Sequence, residues 1–363
     1  MILKADIIVK TGKGLENIVA SRIEELGFKV LPKPLGLLGL VLVKVEDKSK
    51  LEDVVKLIER EIPEAEKVLP VYATCKTDLN LIAEKAAEVA KNRIKPYETF
   101  AVRTVRRGKH NFTSIDVNVK AGARVKEKLG LEVDLEFPDK IIWVEILGDT
   151  AFISITPGTI EWKKKKPGKP MVLPIMKKIS VLQMPYTGPL EAVYKIGVRL
   201  GRGIQTFEIG ELVVTPKYVI TGEELLMFLR GLLEGISSRY EIQRKCYAHK
   251  VHKVPVYVHD LFQAVRDRRN EPLIATSTKG EPISKIVGEI AELLKRSKRI
   301  NILVGAREGL PSGVLRYADL VVDIAPGITL PTDYAAPCIL EALIIGLLEE
   351  EDLFPKYRPK KSR

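Results

Sequence analysis

Two glycine-containing loops near the C-terminal end hold main-chain groups that could bind a small molecule. The loop 305–311 follows the apolar stretch 300–304, and the loop 325–331 follows the stretch 319–324. Glycines leave backbone N–H and C=O groups uncovered, so two such loops side by side can hydrogen bond an adenosine-like ligand. No lysine that could hold a phosphate follows either loop. The pattern therefore points away from ATP and toward a phosphate-free nucleoside such as S-adenosylmethionine.

Methyl transfer from that sulfonium is the chemistry that such a ligand would bring. The reaction needs no metal, but its acceptor oxygen or nitrogen must lie behind the methyl group and lose its proton. We predict no metal site, because His249, His252 and His259 do not form a standard zinc set with the available cysteines. The predicted cofactor-binding residues are Leu303, Val304, Gly305, Glu308, Gly309, Leu310, Ile324, Ala325, Pro326, Gly327, Ile328, Thr329 and Leu330.

The composition predicts a globular protein with a polyanionic partner. The chain has 363 residues, of which 45% are hydrophobic and 29% charged, so two or three domains are expected. Its net charge of +12 favours nucleic acid, with an acidic membrane surface as the alternative. The longest apolar run, 35–43, is too short to span a bilayer, and the N-terminus lacks a signal-peptide pattern. A cytoplasmic location is therefore expected.

Two residue types give weaker indications. Cys75, Cys246 and Cys338 are isolated and lack metal-binding spacing, so all three are predicted to be buried small hydrophobes. Lysine and glutamate are abundant while glutamine is rare, which hints at a thermophilic source.

The first seventy residues alternate strand and helix patterns. Ser49 with Glu52 fits a capping box for a helix over 51–61, and a last strand is predicted over 68–74. The order βαββαβ is the split-βαβ arrangement of a ferredoxin-like domain, which we place at 1–72.

A basic turn follows a strand in the next segment. The strand 99–105 leads into Arg103, Arg106, Arg107 and Lys109, and Thr113 with Asp116 fits a capping box for the following helix. A strand pair with its turn at Gly148-Asp149 completes the unit. Such a turn can bind phosphates, or it can simply lie on a solvated face.

The segment 73–158 resembles a THUMP domain, an RNA-binding module. The resemblance rests on the Arg-x2-Arg-Arg-Gly-Lys turn, the Phe112-Thr-Ser-x-Asp116 helix start and the later strand pair. It implies that this module grips the acceptor end of tRNA, and a ferredoxin-like unit is its usual companion.

The stretch 159–176 reads as a basic linker. Its four consecutive lysines cannot pack in a core, and Pro167 and Pro170 disfavour a helix. It is either a plain tether or a strap that contacts phosphates, and the tail 353–363 is a similar basic end. The predicted RNA-binding residues are Arg103, Arg106, Arg107, Lys109, Lys163, Lys164, Lys165 and Lys166.

From residue 177 to 352 strands alternate with helices, which predicts a mainly parallel α/β sheet covered on both faces. Helices are expected at 190–202 and 225–237, and the stretch 240–269 looks irregular. The whole chain is thus an α/β protein with an α+β N-terminal part.

This half resembles the SPOUT class of methyltransferases. The loops 305–311 and 325–331 match that family's second and third motifs, and Arg202 with Phe207 matches an earlier one. The resemblance implies a C-terminal trefoil knot that binds S-adenosylmethionine, and a homodimer formed through the knot. Two departures stand out: Ile196 replaces the asparagine usual in the ribose-methylating branch, and the third motif lacks its Ser/Asn residues.

The resemblance also implies a catalytic role for Arg202, with Arg199 as the rival candidate. A guanidinium stays charged at neutral pH, so we expect Arg202 to position the acceptor rather than act as a base. Alternatively, it is a cation that stabilises a helix end. Arg307 and Glu308 could contact substrate or cofactor.

Three functions are compatible with the sequence. The first is a tRNA ribose 2′-O-methyltransferase acting in or near the acceptor stem, an activity found among archaeal enzymes that combine THUMP and SPOUT domains. The second is a base-methylating tRNA or ribosomal-RNA enzyme of the same fold. The third is a non-catalytic RNA-binding protein with a vestigial cofactor pocket.

Overall fold

A computed structural model describes residues 3–350 and 353–357. Within this part the chain divides into two compact units, the first ending at Lys166 and the second beginning at Pro167. No helix among the described residues is long and apolar enough to span a membrane.

The first unit begins with a four-stranded antiparallel sheet backed by two helices. The strand order is β2-β3-β1-β4, and the predicted succession βαββαβ is observed. The elements are β1 (Ile7–Thr11), α1 (Glu16–Glu25), β2 (Lys29–Pro32), β3 (Leu40–Lys44), α2 (Leu51–Glu61) and β4 (Ala65–Pro70). The predicted capping box of α2 is wrong, because its N-cap is Lys50, while Asp47 accepts from the Ser49 N–H in a preceding turn.

A second four-stranded sheet completes this unit. Its order is β5-β8-β7-β6, with β6 and β7 parallel and the other pairs antiparallel. The predicted capping box of Thr113 and Asp116 is confirmed at the start of α4. The elements are β5 (Ala73–Lys76), α3 (Leu79–Lys91), β6 (Phe100–Arg107), α4 (Ser114–Leu129), β7 (Lys140–Leu147) and β8 (Thr150–Pro157).

The single strand predicted over 68–74 is two strands in different sheets. The N–H of Val71 donates to the Asp6 carbonyl beside the first sheet, and the N–H of Tyr72 donates to Ile153 in the second. Because the pairing partner changes between these residues, the chain passes from one sheet to the other without a loop.

The two sheets pack face to face, which explains why strand residues are buried on both sides. In β1, Ile7 and Val9 pack with the helices, and Ile8 joins an apolar cluster with Trp143 and Phe152 of the second sheet. Successive strand side chains point to opposite faces, so a strand with both faces covered is apolar throughout.

The second unit is a six-stranded parallel sheet with helices on its faces, as the alternating pattern predicts. Its order is β11-β10-β9-β13-β12-β14. The elements are α5 (Leu173–Met176), β9 (Ile179–Gln183), α6 (Leu190–Phe207), β10 (Glu211–Val214), α7 (Gly222–Cys246), β11 (Val256–Val258), α8 (Leu261–Asp267), β12 (Leu273–Pro282), α9 (Ile283–Arg296), β13 (Ile300–Val304), α10 (Ser312–Tyr317), β14 (Leu320–Asp323) and α11 (Thr332–Leu347).

Helices α6 and α7 are longer than predicted and touch through their backbones. A Cβ on Gly201 would lie 2.2 Å from the Leu232 carbonyl oxygen, and one on Gly235 would lie 2.2 Å from that of Val198. Glycine is therefore required at both positions, since any side chain would push the helices apart. The stretch 240–269 is also more regular than expected, because it ends α7 and then forms β11 and α8.

Candidate functional site

A cavity of about 240 Å³ lies at the carboxyl ends of β13 and β14, beside the middle of β12. Carboxyl ends of neighbouring parallel strands meet at one edge of a sheet, where α/β proteins commonly bind ligands. Ten of the predicted cofactor-binding residues line it: Val304, Gly305, Glu308, Gly309, Leu310, Ile324, Ala325, Ile328, Thr329 and Leu330. Three predicted residues, Leu303, Pro326 and Gly327, are not part of the lining, and Leu303 is buried in an apolar cluster instead.

The loop after β13 is tightly folded. A Cβ on Gly305 would lie 2.8 Å from the Gly309 Cα, and the N–H of Gly309 donates to the Ala306 carbonyl at 3.1 Å. Gly309 has a φ of 78°, which glycine adopts without strain. These two glycines let the loop bend back on itself beside the cavity.

The loop after β14 is held by its own hydrogen bonds. The Asp323 carboxylate accepts from the Ala325 N–H at 3.0 Å, and the Ala325 carbonyl accepts from the Ile328 N–H at 2.8 Å. The cavity wall from Ile324 to Leu330 therefore keeps a defined shape.

A third wall contains residues that the sequence pattern did not predict. Thr276, Ser277, Thr278 and Lys279 line the cavity within β12, where the pairing with β14 shifts register before Glu281. The Thr276 hydroxyl donates to the Leu303 carbonyl at 3.1 Å. Three consecutive hydroxyl residues directly after the apolar stretch 273–275 were the available signal.

The cavity walls suit an uncharged ring with a charged tail. Apolar side chains such as Val304, Leu310 and Ile324 stand beside the hydroxyls of the third wall, while Lys279 and Asp323 add charges of both signs. This mixture fits a nucleoside that carries an amino-acid tail and a sulfonium. No cluster of metal-ligating side chains occurs among residues 3–350 and 353–357.

Arg307 and Glu308 both line the cavity and are tied to neighbouring loops. The Arg307 guanidinium donates to the Thr187 carbonyl at 2.9 Å, and Glu308 pairs with Lys217 at 2.8 Å. The hydrogen bond from Lys217 holds the pKa of the Glu308 carboxyl below its ordinary value. The Glu308 carboxyl is therefore charged at neutral pH.

The two candidate arginines of α6 contact different helices. The Arg199 Nε donates to the Asp333 carboxylate of α11 at 2.5 Å, next to the cavity-lining Thr332. Arg202 instead donates to the Ser238 hydroxyl of α7 at 2.6 Å. Because α6 runs on to Phe207, the alternative that Arg202 is a helix-end cation is wrong.

Most cations of the predicted RNA-binding turn have protein partners. Arg103 pairs with Glu161, Arg106 lies near His110, and Arg107 pairs with the buried Glu145, which also binds Lys10. Lys109 is exposed.

The predicted lysine strap is less uniform than its sequence suggests. Lys163 is half-buried and pairs with Glu161, whereas Lys164, Lys165 and Lys166 are exposed. Lys166 also lies 5.9 Å from the ring centroid of the exposed Trp162.

The cysteine prediction holds for one residue only. Cys75 is buried, Cys338 is half-buried, and Cys246 is exposed at the end of α7.

These features define a class of protein: a parallel α/β domain with a nucleoside-sized cavity formed by loops, preceded by a basic α+β unit. The comparisons with known proteins narrow it. Residues 173–363 match the family described as AF2226-like SPOUT RNA methylase fused to THUMP, and residues 76–156 match the THUMP domain. The chain belongs to that SPOUT RNA methylase family and is an S-adenosylmethionine-dependent RNA methyltransferase.

Curated relatives match this chain over different lengths. The chain is 40% identical over 359 residues to an uncharacterized protein of Methanocaldococcus jannaschii, covering 98% of this chain and 97% of that one. It is 36% identical over 169 residues to a probable tRNA sulfurtransferase of the same organism, covering 42% and 44% of the two chains. It is also 39% identical over 79 residues to that organism's tRNA (guanine(6)-N2)-methyltransferase, covering 20% and 21%.

Proposed function

We propose that this protein methylates the ribose 2′-oxygen of a nucleotide in or near the acceptor stem of tRNA. The observation that carries the proposal is the cavity between the middle of β12 and the loops after β13 and β14, with the cations Lys279 and Arg307 in its lining. The proposed substrate rests on the THUMP domain and on two relatives that are named for reactions on tRNA.

In this proposal each part of the chain has a separate task. The cofactor-binding residues of the loops hold S-adenosylmethionine, which supplies the methyl group. Arg202 positions the acceptor ribose, and Arg199 supports the cavity through Asp333. The transfer forms one C–O bond, breaks one S–C bond and releases the hydroxyl proton. The THUMP domain grips the acceptor end of the tRNA, with Lys109 and the exposed lysines 164–166 contacting phosphates.

The same proposal extends to the architecture. We assign 1–72 as ferredoxin-like, 73–158 as THUMP, 159–176 as linker and 177–352 as a SPOUT domain whose C-terminal part is a trefoil knot. The strand order β2-β3-β1-β4 supports the first assignment. The protein acts in the cytoplasm as a homodimer through the knotted domain, so sedimentation should give twice the chain mass of 40.6 kDa.

Methyl incorporation into unmodified tRNA transcripts tests the activity. With S-adenosylmethionine labelled in the methyl group, we expect label in tRNA at one nucleotide. A methylated 2′-oxygen cannot attack the adjacent phosphate, so alkaline hydrolysis should leave a labelled dinucleotide. Label released as a mononucleotide would indicate base methylation instead, and unlabelled tRNA would refute the proposal.

A further inference from the structure

The loops after β9 and β10 lie next to the cavity loop that follows β13. These three strands are consecutive in the sheet, in the order β10-β9-β13, and all are parallel. Their carboxyl ends therefore share one edge. The cavity lies beside β13, β12 and β14. The part of the edge beside β9 and β10 is therefore left for the molecule that accepts the methyl group.

Two contacts tie this neighbouring region to the cavity wall. Arg307 donates to the Thr187 carbonyl in the loop after β9, and its guanidinium lies 5.7 Å from the ring centroid of Tyr186. Glu308 pairs with Lys217 in the loop after β10. The Lys217 side chain is only 12% exposed, so the pair fixes the start of that loop against the cavity.

The next residue, Tyr218, is left facing solvent. Its side chain is 70% exposed, and the Lys217 ammonium lies 4.7 Å from its ring centroid. Val219 beside it is fully exposed as well. A large aromatic ring this exposed contributes little to folding, yet the residue before it is tied to the cavity wall by the ion pair of Lys217 with Glu308.

We propose that Tyr218 is the platform on which the base of the methylated nucleotide stacks. This inference rests on the proposed function and names the element that receives the acceptor. An aromatic ring with a neighbouring cation is the usual protein surface for an unstacked RNA base. In this proposal the base leaves its stack as its ribose approaches the cavity, and the ring of Tyr218 offers a new face to it.

Kinetics with full-length protein and a tRNA that the wild type methylates test this role. Tyr218→Ala should raise the KM for tRNA about tenfold, because base stacking on an aromatic ring is lost. Its Kd for S-adenosylmethionine, measured by calorimetry, and its Tm should match the wild type. Tyr218→Phe should keep the wild-type KM, since stacking requires the ring and not the hydroxyl.

Tyr317 supplies the matched control. It is 46% exposed and ends α10, three residues before β14 begins, at the opposite edge of the sheet. Tyr317→Ala should leave the KM for tRNA unchanged.

Three results would overturn the inference alone: an unchanged KM for Tyr218→Ala, an equal defect in Tyr218→Phe, or a change in oligomeric mass caused by Tyr218→Ala. The last result would make Tyr218 a subunit contact. Failure of the wild type to methylate any tRNA would instead overturn the proposed function, and the inference with it.

Discussion

Arg199 and Arg202 are three residues apart on α6, yet a different helix holds each of them. Arg199 neutralises Asp333, whose side chain is 6% exposed in the first turn of α11. The Arg202 guanidinium donates to the neutral Ser238 hydroxyl instead. Removing each guanidinium group should therefore impair a different step of the reaction.

Arg199→Ala should weaken cofactor binding. It leaves the nearly buried Asp333 carboxylate without its counter-ion beside the cavity wall, so the Kd for S-adenosylmethionine should rise about tenfold. Calorimetry measures this directly, and an unchanged Kd would contradict the support role of Arg199.

Arg202→Ala should reduce turnover about a hundredfold while the cofactor Kd stays within a few-fold, because the lost group acts on the acceptor. Ser238→Ala is the matched control, since it removes the contact and keeps the charge, and its turnover should be near the wild-type value. Loss of turnover and cofactor binding together in Arg202→Ala would make this residue structural.

The cysteines give a pH-dependent prediction. Burial raises the pKa of the Cys75 thiol to about 11, so at about pH 8 roughly one thiol in a thousand is ionised. A raised pKa reduces the reactive thiolate at every pH below it. Iodoacetamide should therefore modify the exposed Cys246 first and Cys75 only after denaturation, as read by mass spectrometry. Equal rates for both residues in the native protein would contradict the burial of Cys75.

At the scale of elements, the loop after β13 should tolerate no side chain at Gly305. In Gly305→Ala the new Cβ would meet the Gly309 backbone, which cannot rotate away. We expect a Kd for S-adenosylmethionine at least about tenfold higher and a destabilisation of about 1–3 kcal/mol. Gly313→Ala in α10 is the control, because its Cβ would point into open space. Wild-type binding by Gly305→Ala would argue against this loop as the cofactor site.

In the basic turn between β6 and α4, we expect some cations to stabilise the fold and others to bind RNA. Arg107→Ala removes a partner of the buried Glu145 and should cost about 3 kcal/mol of stability, seen as a lower Tm. Lys109→Ala should leave the Tm unchanged. The slope of the logarithm of the tRNA binding constant against the logarithm of the salt concentration should become shallower by about one. An unchanged salt slope for Lys109→Ala would remove this lysine from the RNA-binding surface.

The sequence predicted the element order well, because hydrophobic periodicity and the Thr113–Asp116 capping box depend on residues close in the chain. The sequence did not predict features that depend on contacts between residues far apart in the chain. The wall formed by 276–279 exists because β12 shifts its register against β14. The strand β11 is only three residues long and is defined by its pairing with β10.

In the candidate site, too, locally determined features were predictable and contacts between distant residues were not. Glycine spacing predicted the two loops that line the cavity, since their backbone requirements are local. The partners of Arg199 and Arg202 were not predictable, because they depend on how α6 packs against α11 and α7. The exposed ring of Tyr218 carries no sequence pattern of its own.

For the whole molecule, charge and domain order agree with the family. The net charge of +12 suits an RNA substrate, and the THUMP match precedes the SPOUT match along the chain. The Methanocaldococcus jannaschii relative matches this chain over almost the full length of both proteins. The segments that match THUMP and SPOUT here therefore both have a counterpart in that relative.

The proposed 2′-O-methylation can be tested by mapping the modified nucleotides of tRNA by mass spectrometry in a strain lacking this gene and in its parent. One 2′-O-methylated nucleotide in or near the acceptor stem should disappear in the deletion strain and return when the gene is restored. Identical maps from the two strains, or the loss of a methylated base with every 2′-O-methyl group retained, would contradict it.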